Sequence, residues 1–202
     1  MMYDFTKFWF LDSKLYWQQI FDEFQPKNAL EIGSFEGQSA VFMIENGIEH
    51  LDCVDIWDCD EIVDFDFFRD DGVYIQSRTK IFERFKYNTD LAQKDLEYPV
   101  NLEYHRMSSK KYFRNVVDDY DLIYIDGSHK SNDVLRDAVL SFDCLRSGGI
   151  IIFDDYDWVS PNDTNIEHTP KIAIDAWISV MKPFITEYET NNKKQKYFTK
   201  NK

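Results

Sequence analysis

Apolar residues along the chain alternate between two spacings. Over 10–25, Trp17, Ile20, Phe21 and Phe24 recur at helical intervals until Pro26, which predicts an amphipathic helix. Residues 28–32 form a short apolar run into a turn over 33–37, so a strand is expected there, followed by a helix stopping near Gly47. Further strands are read over 51–56, 101–106, 121–125 and 150–153. A helix over 110–117 is expected before the fourth strand. After it, Ser131 is expected to cap a helix whose Val134, Leu135, Ala138, Val139, Phe142 and Leu145 form a wide apolar stripe, closed by Gly148 and Gly149. A last helix over 172–181 precedes a β-hairpin made of 184–190 and 195–200.

Helices alternating with strands imply a mostly parallel sheet. The expected architecture is α/β, a Rossmann-like three-layer sandwich: seven strands, mostly parallel, with an antiparallel C-terminal hairpin. No linker or repeat divides the chain, so 1–202 is read as one domain, with an N-terminal helical segment over 1–25. Residues 58–99 are the least regular stretch and read as an insertion or cap: 58–71 is acidic and aromatic, and 77–97 looks helical. Residues 155–170 are polar and long for a loop in a compact domain, which suits a cover over a site.

Composition narrows the class. With 44% hydrophobic residues and only 7 Gly and 5 Pro, the chain can build a core and is not disordered. No apolar stretch approaches the roughly 20 residues that span a bilayer, and the aromatic, acid-bearing start is unlike a signal peptide; a cytoplasmic protein without membrane contact is expected. Cys53, Cys59 and Cys144 form no CxxC pair and read as reduced structural thiols. A formal charge of -14 argues against a nucleic-acid partner, and the basic run from Lys193 to Lys202 reads as a solvated hairpin end. The aromatic segment Tyr3, Phe5, Phe8, Trp9 and Phe10 fits packing on the domain or on a second copy, so a homo-oligomer stays open.

Chemistry gathers at two places. The turn after the first strand reads Glu31-Ile32-Gly33-Ser34-Phe35-Glu36-Gly37-Gln38-Ser39. Gly33 permits a sharp turn and close ligand approach, and the following helix offers its first amides to an anionic group. Asp55 closes the second strand, where Rossmann-like folds place an acid on ribose hydroxyls. The loop spells ExGxxxG rather than GxGxxG, which favours S-adenosylmethionine over a dinucleotide.

Three acids form the second group: Asp126 after the fourth strand, Asp154 and Asp155 after the fifth. Neighbouring strands would bring them together, and carboxylates that close repel unless protonated or neutralised by a cation. Mg²⁺ or another hard divalent cation suits such all-oxygen ligation. His129, three residues beyond Asp126, is placed to take a proton from a substrate hydroxyl, with Lys130 the weaker candidate and His168 a candidate substrate contact in the lid.

These motifs together resemble the class I S-adenosylmethionine-dependent methyltransferases. More narrowly they are similar to the metal-dependent O-methyltransferases related to catechol O-methyltransferase, and to relatives that act on sugars of antibiotics and glycans. The likeness runs over about 28–158, through LEIGSFEGQS, VDIWD, YDLIYIDGSHKSNDVLRD and GGIIIFDDYDW. The resemblance implies that Glu31, Gly33, Ser34 and Gly37 surround the cofactor, with Ser39 near its amino-acid carboxylate, Asp55 on the ribose and Ser108 near the adenine. It implies Asp126, Asp154 and Asp155 as metal ligands, and Asp126 with His129 as the catalytic pair. His129 stands where catechol-type enzymes place a basic lysine, and Asp155 where many of them have asparagine. That departure points to the sugar-directed branch, as does IFERFKYN over 81–88.

The implied reaction is in-line attack of a substrate oxygen on the sulfonium methyl, assisted by a metal that grips vicinal hydroxyls of a small-molecule or saccharide acceptor. Three other readings stay open: a metal-independent methyltransferase, an NAD-dependent oxidoreductase on a related fold, and a catalytically silent cofactor-binding module.

Overall fold

The computed structural model describes residues 2–57, 78–114, 116, 119–159 and 169–202. Its strands are β1 (Asn28–Ile32), β2 (His50–Asp55), β3 (Asn101–Arg106), β4 (Tyr120–Ile125), β5 (Leu145–Phe153), β6 (Ile185–Glu187) and β7 (Lys196–Lys200). They form one sheet in the order β3-β2-β1-β4-β5-β7-β6. The first five run parallel, while β7 lies antiparallel to both β5 and β6. The expected architecture is borne out.

Each face of the sheet carries a layer. On one side lie a 3₁₀ turn (Trp9–Asp12) and the helices α1 (Lys14–Phe24), α2 (Gln38–Glu45) and α3 (Arg78–Gln93). On the other lie α4 (Ser109–Tyr112), α5 (Ser131–Cys144) and α6 (Pro170–Met181). Central strands are covered on both faces, which is why β4 is buried at every residue and shows no polar alternation. Along β1, Ala29 packs in the first core and Leu30 and Ile32 in the second, the period of two that a strand imposes. Edge strand β3 is correspondingly largely exposed.

Three local expectations are corrected. Lys130, not Ser131, is the N-cap of α5, and its side chain makes no capping bond; Ser131 is the first helical residue. Gly148 and Gly149 do not end that helix, which stops at Cys144; they lie inside β5. There the pairing jumps from Tyr120 opposite Leu145 to Leu122 opposite Ile150, an irregularity that needs glycine because a Cβ on Gly149 would lie 2.9 Å from the Asp121 carbonyl. The helix expected over 110–117 is the single turn α4. The helix expected over 77–97 is α3, and it packs in the first layer, where Phe85 is fully buried and Ile81 and Ala92 join the core.

Residues 58–77 lie outside the described residues, as do Cys59, His168 and 160–168 of the expected cover. Part of the aromatic N-terminal segment packs on the domain: Phe10 is buried and Tyr3 and Phe5 lie against the first core, while Phe8 and Trp9 stay exposed, the Trp9 ring 5.1 Å from that of Phe35. Among the described residues no helix is long and apolar enough to cross a membrane. Cys53 and Cys144 are buried.

Candidate active site

The carboxyl ends of β1, β2, β4 and β5 share one rim of the sheet, where open α/β folds bind ligands. Gly33 leaves β1 with φ +92°, and a Cβ there would stand 2.0 Å from the Asp126 carbonyl oxygen. The Asp126 amide in turn donates to the Ile32 carbonyl at 2.8 Å, and the Gly33 amide to Val54 at 2.8 Å. The glycine turn and the first of the expected metal ligands are therefore in backbone contact.

Gly37, at φ +85°, is the N-cap of α2. The first amides of that helix lack intrahelical partners, as at any helix start, and face the side where an anion would lie. Ser39 is buried and its hydroxyl donates to the Glu31 carboxylate, which also accepts from Cys53 Sγ at 3.4 Å. Burial pushes the Glu31 carboxyl up to about 7, although the Ser34, Ser39 and Cys53 groups offset part of that rise. The folded protein thus keeps a proton that the unfolded chain gives up near pH 4.5. Stability from this group is complete below that pH and is lost as pH climbs through 7. Between pH 5 and pH 8 the wild type should lose about 2 kcal/mol more than Glu31→Gln, roughly 4–8 °C in Tm. Scanning calorimetry of both proteins at the two pH values checks this; parallel pH slopes would mean that Glu31 is ionised throughout.

Asp55 receives backbone donors from two sides, Phe35 N at 2.8 Å and Trp57 N at 2.9 Å. Trp57 Nε1 closes the loop by donating to the Phe35 carbonyl at 2.8 Å. Both Phe35 (φ +46°) and Trp57 (φ +33°) are left-handed, a strain that Asp55 and the ring contact hold in place. Burial nevertheless raises the Asp55 carboxyl. Its oxygens retain lone pairs for ribose hydroxyls, since an ionised carboxylate accepts about four bonds. Ser108 precedes α4 just past the end of β3, on the same rim.

Asp126 and Asp154 meet at one hydroxyl. Tyr124 Oη lies 3.0 Å from Asp126 Oδ2 and also contacts Asp154 Oδ2. A phenol has one proton and can donate to one acid at a time, so two ionised carboxylates here would carry more negative charge than Tyr124 can satisfy. Burial and the neighbouring carboxylates accordingly push both carboxyls up, Asp126 well above the usual range. Tyr124 was not foreseen; it lies two residues before Asp126, and that spacing puts both on one side of the strand.

Asp155 goes elsewhere. Its φ of +54° swings the carboxylate onto His129, with Oδ2 2.7 Å from Nε2, and the imidazole lies 4.2 Å from the Trp158 ring. The ligand atoms of the three acids consequently do not close to within 4.8 Å of one another, whereas those of Asp52, Glu103 and His105 do. A hollow between the strand ends is lined by Asp126, Ser128, His129, Asp154 and Asp155, with Val134 and Pro170 as apolar wall. A second unforeseen clamp holds the glycine turn: the buried Glu36 accepts from Thr6 N at 2.6 Å, Thr6 Oγ1 at 2.7 Å and Arg84 Nη1 at 3.2 Å.

Comparison with known proteins agrees with this fold. The sequence profile of a family described as a methyltransferase domain matches residues 30–156, and the chain belongs to that family. Among solved structures it is similar to the O-methyltransferase from Bacillus cereus in complex with S-adenosylhomocysteine: 14% identity over 99% of this chain and 84% of that one, TM-score 0.62. The O-methyltransferase TomG from Streptomyces achromogenes, involved in tomaymycin synthesis and bound to S-adenosylmethionine, gives 12%, 95%, 80% and 0.65. The S-adenosylhomocysteine-bound methyltransferase PaMTH1 of Podospora anserina gives 14%, 94%, 78% and 0.62. At such identities the likeness establishes the fold. None of the curated proteins matches the chain in sequence.

Proposed function

We propose that this protein works in the cytoplasm, transferring the methyl group of S-adenosylmethionine to a hydroxyl oxygen of a small molecule or sugar bearing vicinal hydroxyls. The observation that carries the reading is the backbone contact between Gly33 and Asp126, which puts a cofactor-type turn against an acid cluster. In this reading Glu31, Gly33, Ser34, Gly37 and Ser39 surround the methionine part, Asp55 takes the ribose and Ser108 lies near the adenine. The oxygen–carbon bond forms as the carbon–sulfur bond breaks, and the hydroxyl proton passes to His129, oriented by Asp155.

The residues fit a divalent cation such as Mg²⁺. Asp126 and Asp154 converge on one shared proton donor, an all-oxygen pair suited to a hard ion, whereas Asp155 is turned onto His129 and does not close with them. Asp126 and Asp154 would hold it, with Asp155 joining them only on leaving His129. Bound there, the ion supplies a lowered pKa for a ligating hydroxyl. A metal-independent transfer is favoured by a different observation, that Asp155 is engaged by His129. Chelation separates the two: methyl transfer to a vicinal-diol panel should cease in EDTA and return with Mg²⁺, whereas activity that persists leaves His129 as the whole base.

Cofactor binding is tested independently. S-adenosylhomocysteine at a hundredfold excess over its Kd should raise Tm by roughly 5–10 °C. No shift at saturating ligand would remove the cofactor assignment, and with it the reaction.

A further inference from the structure

A second polar cluster lies away from the strand ends, on the face covered by α4 to α6. Asp52 in β2 and Glu103 in β3 are cross-strand partners in register, and His105 follows two residues later on the same face. Like charges directly opposite one another on a sheet are unfavourable unless something positive lies between them. Asp52 is nearly fully buried, Glu103 is exposed, and His105 opens to solvent at the sheet edge.

We propose that Asp52, Glu103 and His105 form a binding site for a zinc-type divalent cation, distinct from the acids at the strand ends. One ligand atom from each residue lies within 4.8 Å of the others. His105 Nε2 is 2.6 Å from Asp52 Oδ1, so one ion can replace the proton these two share. One imidazole and two carboxylates make a mixed nitrogen and oxygen set, which suits Zn²⁺ better than Mg²⁺ and leaves a fourth position for water.

Outer contacts aim the buried ligand. Asp52 Oδ2 accepts from Tyr120 Oη at 2.7 Å, and Tyr120 is itself 2.7 Å from Tyr112 Oη. His50 Nε2 stands 3.0 Å from the same oxygen, while its Nδ1 faces Asn101 Nδ2 at 2.8 Å. An amide nitrogen can only donate, so Nδ1 accepts and the His50 proton resides on Nε2, directed at Asp52. Partners of this kind orient metal-ligating groups and strengthen their hold. The burial of Asp52 is offset by these contacts: Tyr120 Oη and His50 Nε2 lie on one carboxylate oxygen and His105 Nε2 on the other. The exposed Glu103 leaves a way in from the edge of β3.

The experiment is calorimetric titration of ZnCl₂ into chelator-treated protein carrying Asp154→Ala, which removes a competing acid of the rim. One equivalent should bind with a dissociation constant in the low micromolar range or tighter. Glu103→Gln and His105→Gln, which spare the buried Asp52, should each weaken binding about tenfold to a hundredfold. Both should keep the wild-type Tm shift with S-adenosylhomocysteine, which shows that they fold and separates this site from the cofactor site. Absence of zinc binding, or affinity unchanged from the parent in either variant, overturns the proposal.

Discussion

Asp154→Ala is expected to lower metal-dependent methyl transfer at least about a hundredfold while leaving the Tm shift with S-adenosylhomocysteine in place. The carboxylate closes β5, its backbone amide bonded to the Ile125 carbonyl at 3.0 Å, and it shares the Tyr124 hydroxyl with Asp126. Removing it halves the converging charge that a cation would neutralise, several kcal/mol of electrostatic stabilisation at the reacting oxygen. The metal-free fold should not suffer. Asp126 loses the neighbour that most strongly opposes its ionisation after burial itself, so like-charge repulsion in the rim falls. Metal-free Tm at or slightly above wild type, with activity gone, is thus the expected pair of results. A parallel loss of ligand-induced Tm shift would mean that Asp154 holds the cofactor, and full activity in the variant would leave the rim acids without a catalytic role.

The sequence made the rim legible because its signals are local. Strand period, glycine turns and acids at strand ends lie within short windows of the chain, and those placed Gly33, Asp55, Asp126 and Asp154 on one edge. What it concealed depends on register or on backbone twist. Asp155 is adjacent to Asp154 in sequence, yet a positive φ sends it to His129. Asp55 is already bonded by the amides of Phe35 and Trp57, a consequence of two left-handed residues that carry no glycine to announce them. Glu36 reads as a loop acid until Thr6 and Arg84, 30 and 48 residues away, are seen to clamp it. The Asp52–Glu103–His105 cluster exists only through the pairing of β2 with β3, and separate strands do not record their register in composition. Even the start of β5 was hidden, since two glycines resemble a helix stop as much as a bulge.

Gly33→Ala should be far more damaging than the same change at Gly47, and the difference measures how closely the two halves of the site approach. Both glycines are left-handed, at φ +92° and +91°, so alanine incurs a similar backbone cost of about 1 kcal/mol at either place. A methyl group on Gly47 would have nothing within 4 Å, whereas on Gly33 it would meet the Asp126 carbonyl oxygen at 2.0 Å and Gly127 Cα at 2.7 Å. Backbone cannot yield there without breaking the Asp126 amide bond to Ile32, which ties β4 to β1 at the rim. Gly47→Ala should therefore lower Tm by roughly 2–4 °C, and Gly33→Ala by about 8 °C or more. Loss should extend to function: pushing Asp126 outward separates the acid cluster from the turn that would cradle the sulfonium, and S-adenosylhomocysteine should bind at least tenfold more weakly to whatever remains folded at low temperature. Thermal melts of the two variants, with and without that ligand, decide it. Equal melting points would mean that the turn and the β4 end do not touch, and a methyl donor held by one would be out of reach of an acceptor held by the other.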